Sequence, residues 1–296
     1  MSGNPYRRTW KHKSVRALLR KGGGGTPEEI IRRKSRELVA EAKAMGWAGP
    51  PFDPLLLASL RGISSRETRE LFSAEAQLTP IEGRQLLLEF NPDRSAGRRN
   101  FSISHEIAHT FFEDCYEMVH QRKANPRTFD PQQEVEHLCQ LGAAEILMPY
   151  EDFISDAASL PLSLNSIPTL AQKYGASREA TARRMLSISG RTGALVFFSR
   201  RLKPSEIRSN AVAEARMRIL YVVPSGDFSV FLPPHKSAPD ESCVCCTTSP
   251  DDVVTARETW DVQGFDNWFV EAMALPIPIE SGPDTPSVMA LVLPGA

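Results

Sequence analysis

The chain has 296 residues, 41% hydrophobic and 24% charged, with a formal net charge of −1; that suits a globular protein of two modest domains or one large one. The charge excludes a global pull toward nucleic acid or an anionic membrane. No apolar run approaches the roughly 20 residues of a membrane-spanning helix. Basic residues near the N-terminus have no apolar stretch behind them, so no secretory signal is expected. The cysteines are Cys115, Cys139, Cys243, Cys245 and Cys246. An odd count with three crowded together is a poor disulfide framework, which points to reduced thiols and a cytoplasmic location. The group from Cys243 to Cys246 lacks the second pair a zinc knuckle needs, so cysteines without a ligand role are expected there.

Residues 1–25 carry Arg7, Arg8, Lys11, Lys13, Arg16, Arg20 and Lys21 without an acid and end in Gly22 to Gly25. That composition reads as a flexible basic arm. Thr26-Pro27-Glu28-Glu29 predicts a helix start, with a capping threonine, proline in the first turn and early acids. Gly46 and Pro50-Pro51 should end that helix. A second short helix fits Asp53 to Leu60. Residues 66–90 are β-rich, and Gln85 to Phe90 is the clearest strand, ended by Asn91-Pro92-Asp93. A polar loop from Arg94 to Asn100 then leads into a strongly apolar helix carrying His105-Glu106-Ile107-Ala108-His109. A loop with Asn125-Pro126 and Asp130-Pro131 follows, and then a helix from Gln132 to Met148 stopped by Pro149. Gly142-Ala143-Ala144 at its centre is small enough to let a neighbouring helix approach closely.

His105 and His109 lie one helical turn apart on one face, so both imidazoles can reach one cation. A buried His-Glu-His cluster is costly unless something binds it. Glu106 is placed to take a proton from a metal-activated water. Catalytic zinc usually has three protein ligands and one open position, so a third donor is required. A histidine ten residues after His105 would mark the metzincin pattern, but Phe112 and Cys115 occupy its diagnostic positions. A carboxylate on the following helix is the alternative. Glu136 is the first choice, with Glu134, His137 and His120 as competitors. Glu134 sits at the helix start, where an acid also favours the helix dipole. His137 points about 100° away from Glu136 around the helix. Gln140, one turn beyond Glu136, is positioned to hydrogen-bond a liganding histidine.

The run from Arg98 to His109 resembles the entry to the active-site helix of the ImmA/IrrE metallopeptidases. Glu136 to Pro149 resembles their second signature, E-x-x-A-N-x-F-A-A-E-L-L-M-P, and ends in Ala-Ala-Glu-Ile-Leu-Met-Pro. The departures are Cys139 for alanine, Gln140 for asparagine and Gly142 for phenylalanine. The resemblance covers about residues 27–150. It implies a zincin-like metallopeptidase fold with metal ligands His105, His109 and Glu136, and Glu106 as the catalytic base. Zinc follows from geometry and family, although manganese or iron can occupy similar sites. Tyr150 is an oxyanion donor by position only, and a structural tyrosine is the simpler reading. Strand 85–90 would be the sheet edge that aligns an extended peptide.

Leu170 to Ser177, followed by Arg178 to Leu186, reads as helix, glycine turn, helix. Thr181, Arg183 and Arg184 decorate the second helix. DNA contact is one reading. A packing subdomain is preferred, because acids at Glu151, Asp152, Asp156 and Glu179 offset the basic residues. Beyond residue 190, alternating segments at Ala194–Phe198, Arg218–Val223, Phe228–Phe231 and Val288–Leu293 suggest a mixed α+β domain, GAF-like by position. Trp260, Trp268 and Phe269 read as core. The expected class is α+β: an arm (1–25), a zincin-like domain (26–155), a helix-turn-helix-like segment (156–190) and a C-terminal sensory or binding domain (191–296). The expected activity is that of a cytoplasmic zinc endopeptidase. By resemblance, its partner would be a helix-turn-helix repressor, cleaved in a stress or mobile-element response. The rivals are a DNA-binding regulator without turnover and a partner-binding module of a toxin–antitoxin-like pair.

Overall fold

The computed structural model describes residues 10–71, 74–116, 120–123, 132–209, 213–276 and 285–295. The chain divides into two compact units. One gathers Met1–Ser155 and Gln172–Ser177, and the other Asp156–Ala171 and Arg178–Ala296. Among the described residues no helix is long and apolar enough to cross a membrane.

The first unit opens with α1 (Lys13–Lys21), α2 (Pro27–Ala44) and α3 (Pro54–Leu60). Within the segment expected to be a flexible arm, Lys13–Lys21 form the helix α1. Val15 and Leu18 are buried, Ser14 donates to Asp114 at 2.5 Å, and the Lys11 and His12 amides donate to Glu134 at 2.9 Å. A basic amphipathic segment becomes a docked helix because acids distant in sequence meet its positive N-terminal end. Gly23, Gly24 and Gly25 all have positive φ, so the glycine tract makes a defined left-handed turn into α2. There Thr26 and Glu29 form the reciprocal capping box that the sequence promised.

Strands β1 (Ser64–Glu67), β2 (Ala74–Ile81), β3 (Gln85–Phe90) and β4 (His120–Lys123) form one sheet in the order β1-β3-β2-β4. Strand β3 is therefore interior, parallel to β1 and antiparallel to β2. Both of its ladders are occupied, so it cannot be the peptide-aligning edge expected from sequence; among the described residues β1 and β4 are the edges. Ala76, Leu78, Leu86, Leu88 and Phe90 are buried. Each large side chain among them contributes about 1.5–3 kcal/mol of burial.

Against β2, β3 and β4 lies α4 (Ala96–His109), which packs in turn on α5 (Gln132–Leu147), itself covered by α2. Helix α4 begins at Ala96, earlier than the polar composition of residues 94–100 suggested. Fold partners satisfy those polar groups: Arg98 pairs with buried Glu75 of β2, and Asn100 donates to the Gly175 carbonyl at 3.0 Å. Ser102 adds a 3.0 Å bond to Glu75, near the shift in β2–β4 register between Ala74 and Gln77. The expected loop around Asn125 and Asp130 lies outside the described residues. Helix α6 (Tyr150–Ala157) follows α5.

Helices α7 (Ile167–Tyr174) and α8 (Arg178–Ile188), joined through Gly175 at φ +58°, are the helix-turn-helix-like pair. In the second unit α8 packs on β5 (Gly193–Arg201) and on β6 (Arg216–Ser225), the next strand after the short helix α9 (Pro204–Arg208). A second short helix, α10 (Cys243–Cys246), precedes β7 (Val253–Glu258), β8 (Trp268–Ala274) and β9 (Val288–Leu293). The five strands form an antiparallel sheet in the order β6-β5-β9-β8-β7. This is the C-terminal sheet domain that completes the mixed α+β class. Phe228–Phe231 is not a strand, and Phe231 is 75% exposed. Trp260, Phe265 and Trp268 stack at 4.3 and 5.1 Å as core aromatics.

Candidate metal centre

His105 and His109 occupy the last turns of α4, fully buried, with ring centroids 5.0 Å apart and planes at 74°. Their burial follows from Phe101, Ile103, Ile107 and Ala108, which turn this part of the helix inward. Glu136 enters from the second turn of α5. Its Oε2 lies 3.1 Å from His105 Nε2 and its Oε1 lies 3.7 Å from His109 Nε2. Bonds of 2.0–2.1 Å to a tetrahedral zinc would separate neighbouring ligand atoms by about 3.3 Å, which these two distances bracket. The donor set, two imidazoles and one carboxylate, fits a borderline cation such as zinc.

The close approach of α4 and α5 sets this spacing. A Cβ at Gly142 would stand 2.8 Å from the Ala108 Cβ and 3.4 Å from Ile31. The glycine that replaces the resembled signature's phenylalanine is thus the point where the two helices meet.

Acidic side chains crowd the site. Burial raises the Cys139 thiol well above its ordinary pKa, and Glu136, Glu106, Asp114 and Cys115 push it further in the same direction. Glu106 is fully buried and Asp114 nearly so. Several acids in a low-dielectric setting repel one another unless a cation compensates them. That is the electrostatic condition a divalent metal satisfies.

Of the competing ligands, Glu134 and His137 are placed elsewhere. Glu134 is buried, and its carboxylate accepts the Lys11 and His12 amides, so it anchors α1. His137 is exposed. His120 begins edge strand β4, and its side chain is outside the described residues. Gln140 is exposed and, among the described residues, makes no hydrogen bond to either buried imidazole, so the support expected from it is not found. Tyr150 begins α6, more than about 16 Å of helix beyond Glu136, with the Arg36 guanidinium 4.5 Å over its ring. It is structural.

Sequence reasoning missed Cys139 as a possible donor and treated it only as a departure from a signature. Its sulfur and one nitrogen of each histidine all lie within 4.8 Å of one another. The signal was available in the i, i+3 spacing of Glu136 and Cys139 on one helix. All five cysteines are free thiols. Among the described residues no metal-ligating group gathers at Cys243–Cys246, where the Cys243 sulfur instead contacts the Val270 carbonyl at 3.8 Å.

The basic decoration of α8 is largely turned inward. Thr181 and Arg184 are buried. Arg183 pairs with Glu179 at 2.8 Å and lies 5.3 Å over the Phe197 and Tyr221 rings. Arg178 pairs with Asp251 at 2.8 Å. These side chains are engaged within the second unit.

The IrrE N-terminal-like domain model of the Peptidase M78 family matches residues 68–186. No curated protein matches the chain. Among solved structures, a Mycobacterium tuberculosis transcriptional regulator is similar, with TM-score 0.57 and 16% identity over 95% of this chain and 80% of that one. At that identity the likeness is one of fold. The family match takes in the sheet from β2 onward, α4 and α5, which carry the histidine site, and the helix pair. Residues 68–186 thus match an IrrE N-terminal-like domain.

Proposed function

We propose that the protein is a cytoplasmic, zinc-dependent endopeptidase whose natural substrate is a helix-turn-helix repressor. His105, His109 and Glu136 would hold the metal, and Glu106 would act as general base. The observation that carries this reading is the convergence of two buried imidazoles and the Glu136 carboxylate, at 3.1 and 3.7 Å, beside further buried acids. A divalent cation there supplies Lewis acidity, activating a water and polarising the scissile carbonyl. Glu106 accepts the proton of the attacking water and delivers it to the departing amine. The edge strand β4, paired with β2 on one side and packed beside α4, offers main-chain groups to an extended peptide.

The test is incubation of metal-loaded protein with the repressor encoded beside its gene, using Glu106→Gln as control. Cleavage by wild type and none by the variant is expected. Intact repressor in both, with normal metal content, would remove the peptidase claim. A second reading, a regulator without turnover, draws on the likeness in fold to a solved transcriptional regulator. Salt-sensitive, sequence-selective binding of the Glu106→Gln protein to operator DNA would favour it.

A further inference from the structure

We propose that Cys139 is a fourth protein ligand, its thiolate closing the coordination position that an open catalytic site leaves to water. This rests on the metal reading above and adds to it. The Cys139 sulfur lies with a nitrogen of each histidine inside a 4.8 Å span. Glu136 and Cys139 are three residues apart on α5, so one helical turn presents both donors toward α4. Cys139 is fully buried, and the contact of Gly142 with Ala108 holds its helix close to the histidine helix. The resembled signature carries alanine here, so the fourth donor is a property of this chain.

The chemistry favours it. Thiolate, imidazole and carboxylate are all ordinary zinc donors, and four protein ligands make a closed site whereas three leave room for water. On binding, the sulfur forms its bond to the cation and the thiol proton leaves to solvent. Nothing is oxidised or reduced. A four-ligand site would leave no position for water, so the cleavage proposed above would require the Cys139 sulfur to yield its place.

The full-length zinc-loaded protein is examined by X-ray absorption at the zinc edge. A sulfur shell at about 2.3 Å beside nitrogen and oxygen at about 2.0–2.1 Å is expected. Cobalt-loaded protein should show a sulfur-to-cobalt charge-transfer band. Both signals should vanish in Cys139→Ser or Cys139→Ala with one metal still bound, and persist in Cys115→Ser. The two Cys139 variants guard against one failing to fold, and the wild-type spectrum stands without either. One bound metal with only nitrogen and oxygen neighbours overturns this inference and leaves the three-ligand reading intact. A sulfur shell that survives loss of Cys139 also overturns it. Failure of the wild type to bind metal overturns both.

Discussion

On α5, Glu134 and Glu136 stand two residues apart, and their carboxylates meet different partners. Glu136 faces both imidazoles, whereas Glu134 takes two backbone amides of the N-terminal segment. Glu136→Ala should therefore lower metal content, measured by elemental analysis, far more than Glu134→Ala does. Glu134→Ala should keep the metal while losing about 1.5–3 kcal/mol of stability, the usual worth of hydrogen bonds to a charged group. Equal metal content in the two variants would show that the third ligand is misassigned. For Glu106→Gln, metal content should be unchanged and the cleavage rate should fall by about 10²–10⁴, the range for a lost general base. A variant that loses both together would make Glu106 a structural residue instead.

Among the elements, α4 and α5 determine the site through one close contact. Gly142→Ala would push a methyl against Ala108 at 2.8 Å, and overpacking of this kind costs about 1–3 kcal/mol. Calorimetry of the variant should show the loss, together with weaker metal retention, because the contact also sets the histidine–carboxylate spacing. Helix α2, the strand 85–90 and α5 were legible in sequence because their signals are local: a capping box, an apolar run ended by Asn91-Pro92-Asp93, a proline stop. The start of α4 was not, since Arg98 and Asn100 read as loop until Glu75 and the Gly175 carbonyl, distant in sequence, satisfy them. Helix α1 escaped for the same reason. Its charge pattern is that of a tail, and only Glu134 and Asp114 make it a docked helix.

Across the whole molecule, the second unit carries a pH dependence of its own. Burial raises the Glu271 carboxyl above its ordinary value, against the opposing bonds from the Leu164 amide and the Ser163 hydroxyl. The folded state therefore holds this proton more tightly than the unfolded chain does. Stability falls as pH rises from the ordinary carboxylate range through the elevated folded value. Urea unfolding followed by fluorescence, to which Trp260 and Trp268 contribute, should show that decline, and Glu271→Gln should flatten it. An unchanged slope in the variant would assign the dependence elsewhere.

Sequence alone determined that His105 and His109 share a helix face, that Glu106 stands beside them, and that a second helix carries acids within reach. Those are matters of period and spacing, which the backbone enforces locally. Tertiary structure decided which acid meets the histidines, put strand 85–90 inside its sheet, turned Arg183 and Arg184 inward and brought Cys139 to the site. Each depends on packing between segments far apart in the chain, where direction and burial are set by the partner and not by the residue's own neighbours.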